Sequence, residues 1–308
     1  MSDPQAARRL HRFSREAMHT HFTLIIDEAD AGYADSAAQE AFKLVERLEQ
    51  KLSRYIPSSE IARVNQLAEG ESYRLDEEAW ACLAVAADIA GKSGRAFDPA
   101  AGRLIDFWKK QPVPILDVEG NPDWEEAWAA HCQGQISLDP EGRTAVCVKH
   151  GSLLDLGAIG KGFALDQMAR HLEEEWEVKR VLLSAGGSTV LALDAPEEKQ
   201  GWKIGFGGDN DLPPVSLVRQ ALSSSGTEMH PTHLVDPRTG MVVSRQDLVR
   251  SVAAGAAEAD ALSTAFFVFS RQEAEVYCTE NPSHVALLTN EDGASFDILG
   301  EGTIRFWR

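Results

Sequence analysis

Four short segments of this 308-residue chain hold the residue types that chemistry requires. The first spans residues 155–162, DLGAIGKG, at a predicted strand-to-helix junction. Three glycines let a backbone approach a ligand closely, and Lys161 at the helix start is placed to meet a phosphate. The segment is not a Walker A loop. That loop needs Gly where Asp155 stands and Ser or Thr where Gly162 stands, and G-x-G-x-x-G fails as well. A tight strand–helix turn is the plainer alternative. The second segment, 258–264, EADALST, opens a very apolar helix. Asp260 and Thr264 are four apart and share a face, and both offer the oxygen donors that magnesium prefers. Helix capping is the plainer alternative, although Thr264 already lies a turn inside, where a cap has no role.

The third segment, 223–240, ends in the turn sequence Asp236-Pro237-Arg238-Thr239-Gly240. His233 stands just before it and could move protons near neutral pH. His230 is a weaker rival, and a structural histidine is the alternative. The fourth, 93–98, SGRAFD, sets Phe97 and Asp98 on a glycine turn, with Phe97 as a core anchor the simpler reading.

The elements that must position these residues mix helices and strands without strict βαβ alternation, so the fold class is α+β. Residues 21–27 read as a strand, 37–52 as a helix, and 53–65 as a turn with a short helix. Residues 76–90 form an Ala-rich helix whose acidic start suits its positive end. About 109–139 reads as a Pro- and Trp-containing irregular connection carrying one small helix. Strands are expected within 145–154, 179–184, 202–206, 248–254, 284–288, 296–299 and 303–307, and helices over 161–175 and 258–269. No internal repeat is present.

Lys and Arg number 30 against 48 Asp and Glu, a formal net charge of −18, so a general nucleic-acid binder is set aside. The same charge repels any anionic nucleotide, so such a ligand needs local compensation from a metal, a Lys or backbone N–H groups. Cys82, Cys132, Cys147 and Cys278 match no zinc spacing and read as isolated thiols. No stretch is long and apolar enough to span a membrane, and the N-terminal segment lacks the apolar run of a signal peptide. The expectation is a cytoplasmic protein without membrane insertion.

Taken in order, these segments resemble the ApbE family of FAD:protein FMN transferases. The matching positions begin with Ala17-Met18-His19-Thr20 and Leu52-Ser53-Arg54-Tyr55, followed by Ser59 and Asn65. They continue through SGRAFDPAAG from Ser93, DLGAIGKGFALD from Asp155 and Ala185-Gly186-Gly187. Trp202, SSG at Ser224, HLVDPRTG from His233 and ADALST from Ala259 complete the series. His19 stands where the family usually has Gly, and Ser224 where it often has Thr. The resemblance implies one transferase domain over 1–308, with mixed and antiparallel sheets, flanking helices and two lobes around a flavin cleft. It implies FAD as substrate, Mg²⁺ as cofactor, and an acceptor flavoprotein with a Ser or Thr flavinylation site as partner. It assigns the metal to the Ala158 carbonyl, Asp260 and Thr264. It assigns FAD binding to Met18, Tyr55, Ala96, Phe97, Asp98, Asp155, Lys161, His233 and Leu234, with His233 as base and Lys161 acting on the phosphates. An FAD pyrophosphatase and a non-catalytic FAD-binding protein are the alternatives.

Overall fold

A computed structural model describes residues 10–111, 118–206, 212–226, 234–243, 248–289, 295–302 and 304–306. The chain starts with β1 (Leu10–Ala17), β2 (Thr20–Asp27), α1 (Ala31–Leu52), α2 (Glu60–Val64) and β3 (Ser72–Arg74). It continues through α3 (Glu77–Lys92), α4 (Gly102–Lys109), α5 (Pro122–Gln133), β4 (Gln135–Asp139) and β5 (Thr144–Lys149). Next come α6 (Gly160–Trp176), β6 (Val181–Ala185), β7 (Thr189–Ala192), β8 (Trp202–Ile204), β9 (Val215–Leu217) and β10 (Gln220–Ser225). The remaining elements are β11 (Val235–Asp236), β12 (Met241–Val242), β13 (Val249–Ala253), α7 (Ala256–Val268), α8 (Arg271–Glu280), β14 (Val285–Thr289), β15 (Phe296–Leu299) and β16 (Arg305–Phe306).

The architecture is α+β. An eight-stranded sheet in the order β1-β2-β6-β7-β10-β13-β14-β15 forms the centre, and its neighbours all pair antiparallel. Alternation along each strand sends side chains to opposite faces. In β10, Ala221 joins the core shared with α1, α6 and α7, while Leu222 joins a second core with Trp202, Val215 and Leu217. Both faces of the central strands are therefore covered, which is why β13 is buried at all five positions. α7 is buried at 11 of its 13 residues, so it is apolar all round and sits inside the protein.

Several elements differ from the sequence expectation for local reasons. α1 starts six residues early because Asp30 caps it, accepting from the N–H groups of Gly32 and Tyr33. The stretch near 109–139 is more regular than an irregular connection. Asn121 caps α5, Pro122 sits in its first turn where a missing N–H costs nothing, and β4 follows directly. β10 carries three serines at its end, so its strand character comes from pairing with β7 and β13 rather than from propensity. A third apolar cluster joins α4 and α5 to the β11–β12 hairpin through Phe107, Trp108, Ala127 and Val235.

Candidate active site

Two helices bring the acidic and basic candidates together. α6 and α7 cross where Gly162 meets Ala256: a Cβ on Gly162 would lie 2.1 Å from the Ala256 carbonyl oxygen and 2.8 Å from the Asp260 Cβ. Only glycine permits that approach. The Gly162 N–H donates to Asp260 Oδ2 at 3.1 Å, while Thr189 and Ser223 donate to Oδ1 at 3.1 and 3.3 Å. Lys161 Nζ stands 3.7 Å from Oδ2 and donates to the Gly157 carbonyl at 2.9 Å. Capping of α7 falls to a different carboxylate. Asp166 of α6 accepts the N–H groups of Ala256 and Ala257 at 2.7 and 2.8 Å. Burial pushes Asp166 up to about 6 against the pull of those two donors, and the nearby Glu258 and Asp260 charges add to the rise. Asp260 is thus a buried carboxylate, 5% exposed, that does not cap its own helix.

These side chains border two cavities of about 600 and about 160 Å³. The larger lies in the range of small-molecule sites. It is lined by Ala96, Phe97, Asp98, Ala158, Leu234, Asp260 and Thr264, and by the Gly186-Gly187 turn. The smaller is lined by Met18, His19, Arg54 and Tyr55. Asp155, Gly157 and Lys161 border both, so the cavities meet at the α6 N-terminus. α6 has no side-chain cap, which leaves the positive end of its dipole at this junction. Met18 and His19 form the two-residue turn between β1 and β2, both with positive φ (49° and 58°). Such a turn favours Asn-Gly, so His19 holds a left-handed conformation where Gly is easier. Tyr55 is 61% exposed, its ring open to a ligand, with the Arg54 guanidinium 4.6 Å from its centroid.

The carboxylates on either side have internal duties. Asp155 Oδ1 accepts the Gly157 N–H at 2.8 Å, and Oδ2 pairs with Arg54 Nε at 2.8 Å. Arg54 also makes a two-pronged contact with Asp106 of α4. Burial alone would lower the Arg54 guanidinium, but the Asp106 hydrogen bond and the Asp155 and Asp106 charges outweigh it and hold it above its ordinary range. Asp98 accepts from Arg95 and from the Ala100 N–H. Phe97 is 3% exposed and packs in the core, while its loop borders the larger cavity. Leu234 leads into a hairpin gripped from α4 and α5. Trp108 and Trp124 donate to the Gly240 carbonyl at 2.8 and 3.3 Å, and His131 Nε2 meets the Pro237 carbonyl at 3.0 Å. His233 lies outside the described residues.

The residues suit a magnesium ion. Among the described residues no cluster of three or more His, Cys, Asp or Glu gathers to hold a metal. Asp260, Thr264 and Ala158 border a single cavity and between them can offer a carboxylate, a hydroxyl and a backbone carbonyl, a sparse, all-oxygen set. Mg²⁺ characteristically takes one or two protein carboxylates and completes its shell with water and substrate phosphate.

The sequence model of the ApbE family matches residues 18–289. The chain belongs to the ApbE family. A curated relative from Treponema pallidum (strain Nichols), named FAD:protein FMN transferase, is 26% identical over 300 residues, covering 87% of this chain and 81% of its own. The fold is shared with the flavin transferase ApbE from Vibrio cholerae, at a TM-score of 0.78 and 18% identity over 95% of this chain and 98% of that one. The ApbE protein from Thermotoga maritima gives a TM-score of 0.79 at 23% identity over 94% and 97%. No helix among the described residues is long and apolar enough to cross a membrane.

Within this ApbE chain, all the expected site residues other than His233 border one or other of the two cavities. Sequence reasoning gave no role to Arg54, Lys109, Asp166, Thr189 or Ser223. Arg54, Asp166 and Ser223 lay inside segments already singled out, so their position was a usable signal. Lys109, which borders the larger cavity with Nζ 3.4 Å from the Tyr55 hydroxyl, carries no motif. Thr189 and Ser223 meet because β7 and β10 pair them directly, a register that no local pattern announces.

Proposed function

We propose that this protein splits FAD at its pyrophosphate and transfers the FMN half to a Ser or Thr hydroxyl of an acceptor flavoprotein, releasing AMP, with Mg²⁺ as its metal. The observation that carries the reading is the junction of the two cavities. There the Lys161 ammonium stands beside the Asp260 carboxylate at an uncapped helix N-terminus. A dinucleotide has two bulky ends and an anionic middle, and this groove has two compartments that meet where Lys161 and a helix N-terminus offer positive charge and Asp260 offers a seat for a cation. The same reading treats 1–308 as one transferase domain whose two lobes meet at the cleft.

Each residue then has a task. The Tyr55 ring and Met18 hold the isoalloxazine, and Lys161 contacts phosphate oxygens as a charge-assisted donor. The Ala158 carbonyl, Asp260 and Thr264 hold Mg²⁺. Mg²⁺ bound there supplies positive charge that offsets the pyrophosphate and the departing AMP. The acceptor oxygen bonds to the FMN phosphorus. The bond from that phosphorus to the bridging oxygen breaks, and AMP leaves with the electron pair. The hydroxyl proton goes to the His233 imidazole, since an unassisted hydroxyl is a weak nucleophile. The turn of the hairpin that follows Leu234 is pinned at Pro237 and Gly240 by His131, Trp108 and Trp124.

Incubation with FAD, Mg²⁺ and candidate acceptors, followed by intact-mass measurement, tests the proposal. The expected result is an acceptor heavier by one FMN with matching AMP release. Free FMN and AMP without labelled protein would establish a pyrophosphatase instead. Intact FAD after prolonged incubation with metal would leave only a flavin-binding protein.

A further inference from the structure

The hydroxyls behind Asp260 restrict how that carboxylate can meet a cation. A carboxylate offers about four lone-pair sites on two oxygens. Oδ1 faces two donors, Thr189 Oγ1 at 3.1 Å and Ser223 Oγ at 3.3 Å. Oδ2 takes the Gly162 N–H at 3.1 Å. Lys161, which borders both cavities, has its Nζ 3.7 Å from Oδ2, beyond hydrogen-bond distance, so Oδ2 keeps acceptor capacity beside the cavities.

The two hydroxyls are themselves held. Both side chains belong to fully buried residues, at 0% exposure, and strand pairing sets Thr189 directly opposite Ser223. They stand 3.0 Å apart and cannot donate to each other at once, so one is free to donate to Oδ1, which lies nearer to Thr189 than the competing Ser188 hydroxyl at 3.5 Å. Ser263, one turn along α7, donates to the Asp260 backbone carbonyl at 2.8 Å and reaches Ser223 at 3.4 Å. Ser225 closes the chain at 2.8 Å from Ser263. Turning a buried hydroxyl of this row away from its acceptor leaves a polar atom unpaired away from water, so the row resists rearrangement.

We propose that Thr189 and Ser223 are positioning residues that tie up Asp260 Oδ1, so that Asp260 binds the metal ion through Oδ2 alone. The inference rests on the metal reading above and deepens it. One-oxygen binding leaves more of the ion's shell for phosphate oxygens, which a two-oxygen grip would occupy.

The test is direct metal binding with Mn²⁺ as the probe, read from the electron paramagnetic resonance of free Mn²⁺ over FAD-loaded protein. Thr189→Val and Ser223→Ala should each weaken Mn²⁺ binding by roughly 10–100-fold, the usual effect of losing a group that orients a metal ligand. Thr189→Ser keeps the hydroxyl and should restore wild-type binding. FAD affinity measured without metal should stay unchanged in all three, which a merely structural defect would not achieve. Wild-type Mn²⁺ affinity in both Thr189→Val and Ser223→Ala would overturn the inference. Asp260→Ala separates the two levels. If it loses Mn²⁺ while the hydroxyl variants bind normally, only the positioning role fails. If it too binds normally, the metal assignment falls and the positioning role with it. Should Thr189→Val not fold, Ser223→Ala decides alone, since it removes one oxygen and adds no bulk.

Discussion

Replacing Gly162 by Ala should separate α6 from α7 at the one point where their contact sets the site. The new methyl would lie 2.1 Å from the Ala256 carbonyl oxygen and 2.5 Å from its carbon, both backbone atoms with no rotamer to escape into. Restoring ordinary contact requires a shift of roughly 1 Å in a close-packed interior. Ala is the better helix former by about 1 kcal/mol, but overpacking a core typically costs about 1–3 kcal/mol and more where backbone must move. The clash wins, and the variant should melt a few degrees lower. The same shift lengthens the 3.1 Å bond from the Gly162 N–H to Asp260, so the Mg²⁺ needed for half-maximal AMP release should rise by roughly tenfold. Gly91→Ala is the control. Gly91 is an exposed residue of α3 with nothing within 4 Å of the added Cβ, so this change should be neutral or stabilising by up to about 1 kcal/mol. Thermal melts and Mg²⁺ titrations of AMP release on the two variants check the argument. A Gly162→Ala protein that melts at the wild-type temperature with an unchanged Mg²⁺ requirement would refute it.

Two further outcomes follow from the same helix pair. Asp166 is held in the folded protein near 6, above its ordinary value of 3.8, so the folded state binds the proton more tightly. Stability from this group is therefore fully present below about pH 4 and is lost as pH rises through about 6, a difference of at most about 3 kcal/mol. Asp166→Asn should flatten that slope in denaturant unfolding across this window, and an identical slope in both proteins would show that the residue is not desolvated. Lys161→Ala should weaken FAD binding by roughly 1.5–3 kcal/mol, the worth of a charge-assisted contact, without lowering the melting temperature. Normal turnover per folded molecule in a protein that melts early would make Lys161 structural.

The parts of this molecule that were legible from sequence are those specified locally. The mostly helical spacing of Phe42, Leu44, Val45, Leu48 and Leu52 marks α1, and all of these but the half-buried Leu44 are buried. The apolar run after Glu258 gives α7, and the glycines of 155–162 mark the loop that lets α6 approach its neighbour. What was not legible depends on partners distant in the chain. β1 has seven of its eight residues outside the core, so it shows no apolar signal and exists because β2 pairs with it. β10 ends in three serines, and only its place between β7 and β13 makes them strand residues. The Asp260 setting shows the same division. Its type and spacing to Thr264 could be read directly, but its three hydrogen-bond donors come from positions 98, 71 and 37 residues away. The capping role that seemed natural for Asp260 belongs to Asp166, because a buried helix start is satisfied by whichever acceptor packs against it.

Charge around the cleft explains why a metal belongs in the reading at all. Among the described residues lining the two cavities, Arg54, Lys109 and Lys161 are cationic, and Glu49, Asp98, Asp155 and Asp260 are anionic, giving 3 − 4 = −1 with His19 neutral. Arg54 is already committed to Asp106 and Asp155, so it lends a ligand little. A site of this balance, on a chain carrying −18, does not favour a dianionic pyrophosphate by its side chains alone. Helix α6 contributes only about half a charge at its N-terminus. A divalent ion on Asp260, as proposed above, would turn the local −1 into +1, the sign an anionic pyrophosphate requires, beside Lys161. The three donors grouped on Asp260 have a physical rationale: they satisfy acceptor sites of a carboxylate that lies inside the protein, where an unpaired oxygen would be costly.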